Sequence, residues 1–169
     1  DALGNCYSME YDQQGNIIAL IDPLEHKYEF LYDQQGLLIQ EKNPAGGITH
    51  YIHRQDGNLI SETDPLNGSI QYFYDEYGNI NRIIDELSRE TQITYNKNRD
   101  VLTLKDALNN SMSFSFDKAG RLLSSTDSNG SVSTYTWRKT GTLTSYTDFL
   151  GNTYTYEYNA EGPLIRVNN

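Results

Sequence analysis

Strides of 21 residues from Tyr11 land on Tyr32, His53, Tyr74, Tyr95, Phe116, Trp137 and Tyr158, a ring at every stop. Four residues beyond each ring stand Gly15, Gly36, Gly57, Gly78, Arg99, Gly120, Gly141 and Gly162, with Arg99 the one departure. Two further on runs an aliphatic column: Ile17, Leu38, Leu59, Ile80, Val101, Leu122, Leu143 and Leu164. A fourth column is Asp1, Asp22, Asn43, Asp64, Asp85, Asp106, Asp127, Asp148 and Asn169. No insertion breaks the register, so residues 1–169 read as one array of eight 21-residue units. Such an array draws its stability from neighbouring units, because one unit cannot bury its own apolar face.

Each unit contains two strand patterns and two turn patterns. Tyr28, Phe30 and Tyr32 alternate with Lys27, Glu29 and Leu31; Met112, Phe114 and Phe116 alternate with Ser111, Ser113 and Ser115. Tyr154, Tyr156 and Tyr158 alternate in the same phase with Thr153, Thr155 and Glu157. Period-two alternation is the mark of a strand with one face packed and the other wet. The ring triads and the Leu38 column are expected to face an interior, with Lys27 and Glu29 in solvent. The first turn, as in Tyr32-Asp33-Gln34-Gln35-Gly36, pairs a capping Asp with a Gly that accepts positive φ, a type I turn with a bulge. The second, as in Asp22-Pro23-Leu24-Glu25 and Asp64-Pro65-Leu66-Asn67, sets φ with Pro after a capping Asp. Connections this short force antiparallel pairing. The expected fold is all-β: a hairpin meander of about sixteen strands, with no helix of more than one turn.

Composition narrows function mainly by exclusion. The net charge of −10 repels phosphate backbones and anionic membrane surfaces, so neither nucleic acid nor membrane insertion is expected. No apolar run is long enough for a membrane-spanning helix. The single Cys6 rules out an internal disulfide framework. The chain does not start with Met, and Asp1 and Asn169 fall on the same column, as expected of a piece of a longer protein.

These columns resemble the YD-repeat, or Rhs, family, whose unit carries Y-D-x-x-G, an aliphatic strand and a D-P-x-G turn. The best copies are Tyr11 to Gly15, Tyr32 to Gly36, Tyr74-Asp75-Glu76-Tyr77-Gly78 and Phe116-Asp117-Lys118-Ala119-Gly120. The second turn is represented by Asp1-Ala2-Leu3-Gly4, Asp22 to Glu25 and Asp64 to Asn67. Arg54 and Arg138 replace the capping Asp, which is expected to weaken those two turns. The resemblance implies a segment of a spiralling sheet that closes into a hollow shell. In Rhs proteins and toxin-complex C components such a shell encloses a C-terminal toxin; in teneurins a similar barrel belongs to an adhesion receptor. The implied partners are the remaining repeats of the parent shell, an enclosed toxin and the secretion machinery of an exported bacterial protein, secreted or at the cell surface.

Catalysis is not expected. The Asp columns supply carboxylates in nearly every unit, whereas an active site is singular, and turn chemistry accounts for each Asp. Asp22 and Asp64 do not continue into the self-processing motif that the resemblance places near the C terminus. One Asp per turn is too few oxygens for calcium. His26, His50 and His53 share no metal-ligand spacing, with His50 on the wet face and His53 on the ring face. No residue is therefore assigned a catalytic, cofactor-binding or metal-binding role. The rival reading is an aromatic-rich surface module for carbohydrate or cell-wall ligands, built on aromatic cages between hairpins. Trp137, the only Trp, is a poor match to the Trp-rich repeats of such modules.

Overall fold

Strand alternation and turn residues produce the expected hairpins in a computed structural model that describes residues 6–159 and 162–168. Asp1, the Asp1-Ala2-Leu3-Gly4 turn and Asn169 lie outside the described residues. Sixteen strands and no helix occur among the described residues. The first unit, Asp1–Arg89, holds β1 (Ser8–Tyr11), β2 (Ile17–Ile21), β3 (Lys27–Tyr32), β4 (Leu38–Lys42), β5 (Ile48–His53), β6 (Leu59–Thr63), β7 (Ser69–Tyr74) and β8 (Ile80–Ile84). The second, Glu90–Asn169, holds β9 (Glu90–Tyr95), β10 (Val101–Lys105), β11 (Ser111–Phe116), β12 (Leu122–Thr126), β13 (Val132–Trp137), β14 (Leu143–Thr147), β15 (Thr153–Tyr158) and β16 (Leu164–Asn168). Within each unit every strand pairs antiparallel with the next in sequence.

The two turn patterns fold into one device. Gly36 N–H donates to the Asp33 carbonyl at 3.1 Å and Asp33 N–H to the Leu37 carbonyl at 2.9 Å. In the second pattern Glu25 N–H donates to the Asp22 carbonyl and Asp22 N–H to the His26 carbonyl, both at 3.0 Å. The fourth residue is left-handed in both kinds of turn: φ is 81° at Gly36 and 65° at Glu25. Pro23 is thus no marker of a separate turn type. The two replaced turns still close, with Gly57 N–H on the Arg54 carbonyl at 2.8 Å and Gly141 N–H on the Arg138 carbonyl at 3.0 Å.

What separates the hairpins is a second irregularity. Beside every first turn the register slips by one residue: Tyr32 faces Leu38 and Leu31 faces Gln40, leaving Ile39 as the extra residue. Hairpins around second turns show no slip. The bulge shifts the pleat so that the aliphatic column and the residue three positions later both join the ring face. Leu38 sits opposite Tyr32, and Glu41 opposite Phe30. Ring tips fasten the irregularity in both units. The Tyr74 hydroxyl donates to the Leu59 carbonyl at 2.6 Å, and Trp137 Nε1 to the Leu122 carbonyl at 2.7 Å.

The expected interior is only half made. Met112, Phe114 and Phe116 are half-buried while Ser111, Ser113 and Ser115 are exposed. Among the described residues only Ala19, Ser125 and Ser133 are buried, all small side chains shaded by larger neighbours. Each unit is a single layer, and a one-layer sheet shields a ring from the sides without capping it. Glu29 also departs from expectation: it is half-buried, 2.8 Å from Lys42 Nζ, while Lys27 is exposed.

Candidate functional surface

With sites of chemistry unassigned, the surfaces to weigh are the ring face, the opposite face and the turn rims. On the ring face of the first unit, the pairing Tyr51–Glu62 and the pairing Glu41–Thr49 bring two carboxylates alongside one phenol. The Tyr51 hydroxyl donates to Glu41 Oε2 at 3.3 Å. Burial, then the Glu41 and Glu62 charges, push the Tyr51 phenol up to about 12. Tyr72 is raised by burial, then by Glu62. Among the described residues neither carboxylate has a basic partner. Sequence reading missed this cluster because Glu41 and Glu62 look like wet-face residues until the bulge shifts their phase.

The same row position in the second unit is filled differently. Tyr135, Tyr146 and Tyr154 lie side by side on β13, β14 and β15. Their ring centroids are 5.0 and 6.0 Å apart, with interplanar angles of 30° and 17°. Stacked in this way, the middle ring turns both faces to its neighbours. Next to this ladder the Ser125 and Ser133 hydroxyls share a buried hydrogen bond of 2.6 Å.

The turn carboxylates accept hydrogen bonds from their own turns. Asp33 Oδ1 accepts from Gln35 N–H at 2.8 Å and Leu37 N–H at 2.9 Å, and Asp106 Oδ1 from Leu108 N–H and Asn110 N–H at the same distances. The side chains of Asn16, Asn110 and Asn152 hold Asp12, Asp106 and Asp148 below the usual carboxylate range. Arg121 does the same for Asp117, and the Arg89 backbone N–H for Asp85. At Asp22 burial pushes upward, but hydrogen bonds from His26 and Leu24 outweigh it. In the replaced turn Arg54 pairs with Asp56 and drives its carboxyl down. Carboxylates lowered by hydrogen-bond donors are bases too weak for proton transfer near neutrality.

His26 is exposed in its turn, 2.9 Å from Asp22; His50 is exposed on the wet face; His53 is half-buried on the ring face opposite Leu59. The His53 Nδ1 is buried without a hydrogen-bond partner. Among the described residues no three of His, Cys, Asp and Glu gather as a metal site.

The family model for the RHS repeat matches residues 55–99. No curated protein sequence matches the chain. Among solved structures the chain is similar to a crystal structure of TcdB2-TccC3-Cdc42, with TM-score 0.63 and 13% identity, covering 95% of this chain and 11% of that one. It is also similar to TcdB2-TccC3 without hypervariable C-terminal region, with TM-score 0.61, 12% identity and the same coverages. A third is the Photorhabdus luminescens Tc holotoxin pore, with TM-score 0.50 and 12% identity, covering 95% of this chain and 13% of that one. The chain thus spans between 11% and 13% of the length of the chains it matches. The chain carries an RHS repeat over residues 55–99, the same columns recur in its other units, and its fold is similar to that of these structures.

Proposed function

We propose that this chain is a stretch of wall in a shell that encloses a C-terminal toxin or effector of its parent protein for delivery to other cells. The observation that carries the reading is that each unit is a single-layer sheet. Its rings are half-buried on one face and its turns are self-satisfied, which suits a partition better than a catalytic body. Its first and last strands are exposed along their whole length, β1 and β16 alike. Unpaired strand edges are templates for further strands. The likeness to TcdB2-TccC3 supports the same reading at the level of fold. On this view the chain is not an enzyme, its partners are neighbouring repeats and an enclosed polypeptide, and the parent is exported.

The carbohydrate-binding alternative has less to stand on. Sugars stack on open ring faces, and Tyr146 uses both of its faces on other tyrosines. The deciding experiment is electron microscopy of the parent protein joined to limited proteolysis. A hollow particle whose C-terminal segment resists protease until the shell is denatured is the expected result. A solid or open particle with a freely cleaved C-terminal segment would sink the proposal. Saturable choline or glycan binding lost on substituting Trp137 or Tyr135 would hand the case to the alternative.

A further inference from the structure

In an array where most features recur, the tyrosine ladder occurs once. The position of Tyr146 reads Leu20, Glu41, Glu62, Ile83, Leu104 and Ser125 in the other repeats. That of Tyr154 reads Tyr28, Thr49, Ile70, Thr91, Met112 and Ser133. Tyr135 follows Phe30, Tyr51, Tyr72, Ile93 and Phe114 in a more aromatic column. Nowhere else in the sequence do three tyrosines share a row. Packing does not call for them, because Ile93, Leu104 and Met112 fill the equivalent row of β9, β10 and β11 with aliphatic side chains.

What phenols add to such a row is redox chemistry. A phenol that loses one electron and one proton becomes a phenoxyl radical, with unpaired spin on the two Cε carbons beside its oxygen. Two such radicals join carbon to carbon when they meet before they are quenched. Tyr135 and Tyr146 stand directly opposite one another, with ring centroids 5.0 Å apart and planes inclined by 30°. Tyr154 flanks Tyr146 on its other side at 6.0 Å. Holding reacting groups in contact replaces a chance encounter with an intramolecular step. The three rings are half-buried, open enough for electrons and protons to leave. Burial, then Tyr135, Asp148 and Tyr154, raise the Tyr146 phenol, so its proton has to depart together with its electron.

We infer that this ladder is a site of oxidative cross-linking, where a one-electron oxidant joins Tyr146 to Tyr135 through a bond between ring Cε atoms. The two phenols together give two electrons to the oxidant and their two protons to water. The hydrogens on the newly bonded carbons then move to the two oxygens, which restores both aromatic rings. Tyr154, at the longer separation, is the minor partner. A chain with one cysteine forms no internal disulfide, and this bond restrains the unfolded chain in the same manner. The inference stands whether or not the parent forms a shell.

The test uses the whole 169-residue chain with Cys6→Ser, so that no thiol consumes the oxidant. Brief photo-oxidation by ruthenium(II) tris-bipyridyl and persulfate is followed by dityrosine fluorescence and by mass spectrometry of the peptides. The expected cross-link joins the Tyr135 and Tyr146 peptides within one chain. Tyr146→Phe, which keeps a ring in place, should lower the dityrosine yield about tenfold or more; Tyr51→Phe should leave it unchanged. The cross-linked chain should unfold at a higher denaturant concentration than before oxidation. Exposure is the competing rule, since Tyr7, Tyr11 and Tyr77 are 62%, 56% and 68% exposed. Cross-links led by those three or formed between chains, a yield indifferent to Tyr146→Phe, or an unmoved unfolding midpoint would each overturn the inference.

Discussion

The two units share a backbone plan and differ in what they hang on it. On the wet face of β1–β8, Leu31 and Ile52 stand 52% and 56% exposed, and Arg82 lies over the Phe73 ring at 3.8 Å. In β9–β16 the same column reads Thr94, Ser115, Thr136 and Glu157, the first three within a field of hydroxyls. Thr94 and Thr103 bond at 2.6 Å, Ser115 and Ser124 at 2.7 Å, and Thr147 and Thr153 at 2.9 Å. The ring faces diverge in the opposite sense. There the first unit carries Glu41 and Glu62 among its rings, where the second carries Ser125 and Tyr146. Turn closure, left-handed turn conformations and bulges are held constant because the chain path depends on them, even where Arg54 and Arg138 replace the capping Asp; the cross-strand positions between them are free to vary.

The largest contrast is expected at the ring ladder. Tyr146→Ala removes a half-buried ring and two stacking contacts, a loss of about 2–4 kcal/mol. Tyr51→Ala removes a ring that stacks on no other ring among the described residues and is crowded by two carboxylates, a loss of about 1–2 kcal/mol. Denaturant titration measures both. Equal losses would show that stacking adds nothing to side-on burial.

A second test converts one unit toward the other. Glu62→Ile, which copies Ile83 one repeat later, should stabilise the first unit by about 1 kcal/mol, because a carboxylate without a cation leaves an apolar row. Leu104→Glu should cost about 1–2 kcal/mol in the second unit. The same Glu62→Ile change should draw the Tyr51 phenol down from about 12, since the Glu62 charge is one cause of its rise. The neutral phenol's contribution is complete below pH 10 and is lost as pH rises through 12. Ultraviolet titration of tyrosinate in the wild type, Tyr51→Phe and Glu62→Ile would show it. A destabilising Glu62→Ile would mean that this carboxylate has a use on the ring face.

The legible and illegible parts of the sequence divide along the same line. Columns repeated every 21 residues report backbone needs, and the strands, turns and antiparallel order follow from them. The ring phase of Phe114 against Ser113 was equally readable. Glu41 was not: its face depends on the one-residue slip at Ile39, and alternation counted without that slip assigns it to water. Leu24 and Leu66 were visible as letters, but their exposure was not, because an Asp-Pro-Leu turn reads the same whether its leucine packs or projects. His53 reads as a ring substitute and sits as one, yet its orphaned Nδ1 depends on neighbours that no pattern names.

Turn strain offers a smaller effect that should be the same in both units. Ser88 and Arg99 hold φ at 59° and 68°, where most other repeats place glycine. Ser88→Gly and Arg99→Gly should each stabilise by about 0.5–1 kcal/mol, with relief of left-handed strain partly offset by the entropy of glycine. Because the turn device is common property, the two gains should agree. A gain at one site and a loss at the other would mean that a side chain there contributes more than its backbone costs.

The smallest effects belong to the wet faces, where the units look most different. Ser113→Ala in the hydroxyl field and Ile52→Thr in the apolar column should both stay within about 0.5 kcal/mol. The reason is physical and applies to both. An exposed hydroxyl gives up to water what it gains from a neighbour, and an Ile that is 56% exposed has little burial left to lose. Stability curves of the two variants that overlay the wild type would show that chemistry on these faces is set by what they meet, not by what holds the sheet together. A loss above about 1 kcal/mol at Ile52 alone would reveal a covering layer on the first unit, and the likeness between the two wet faces would end there.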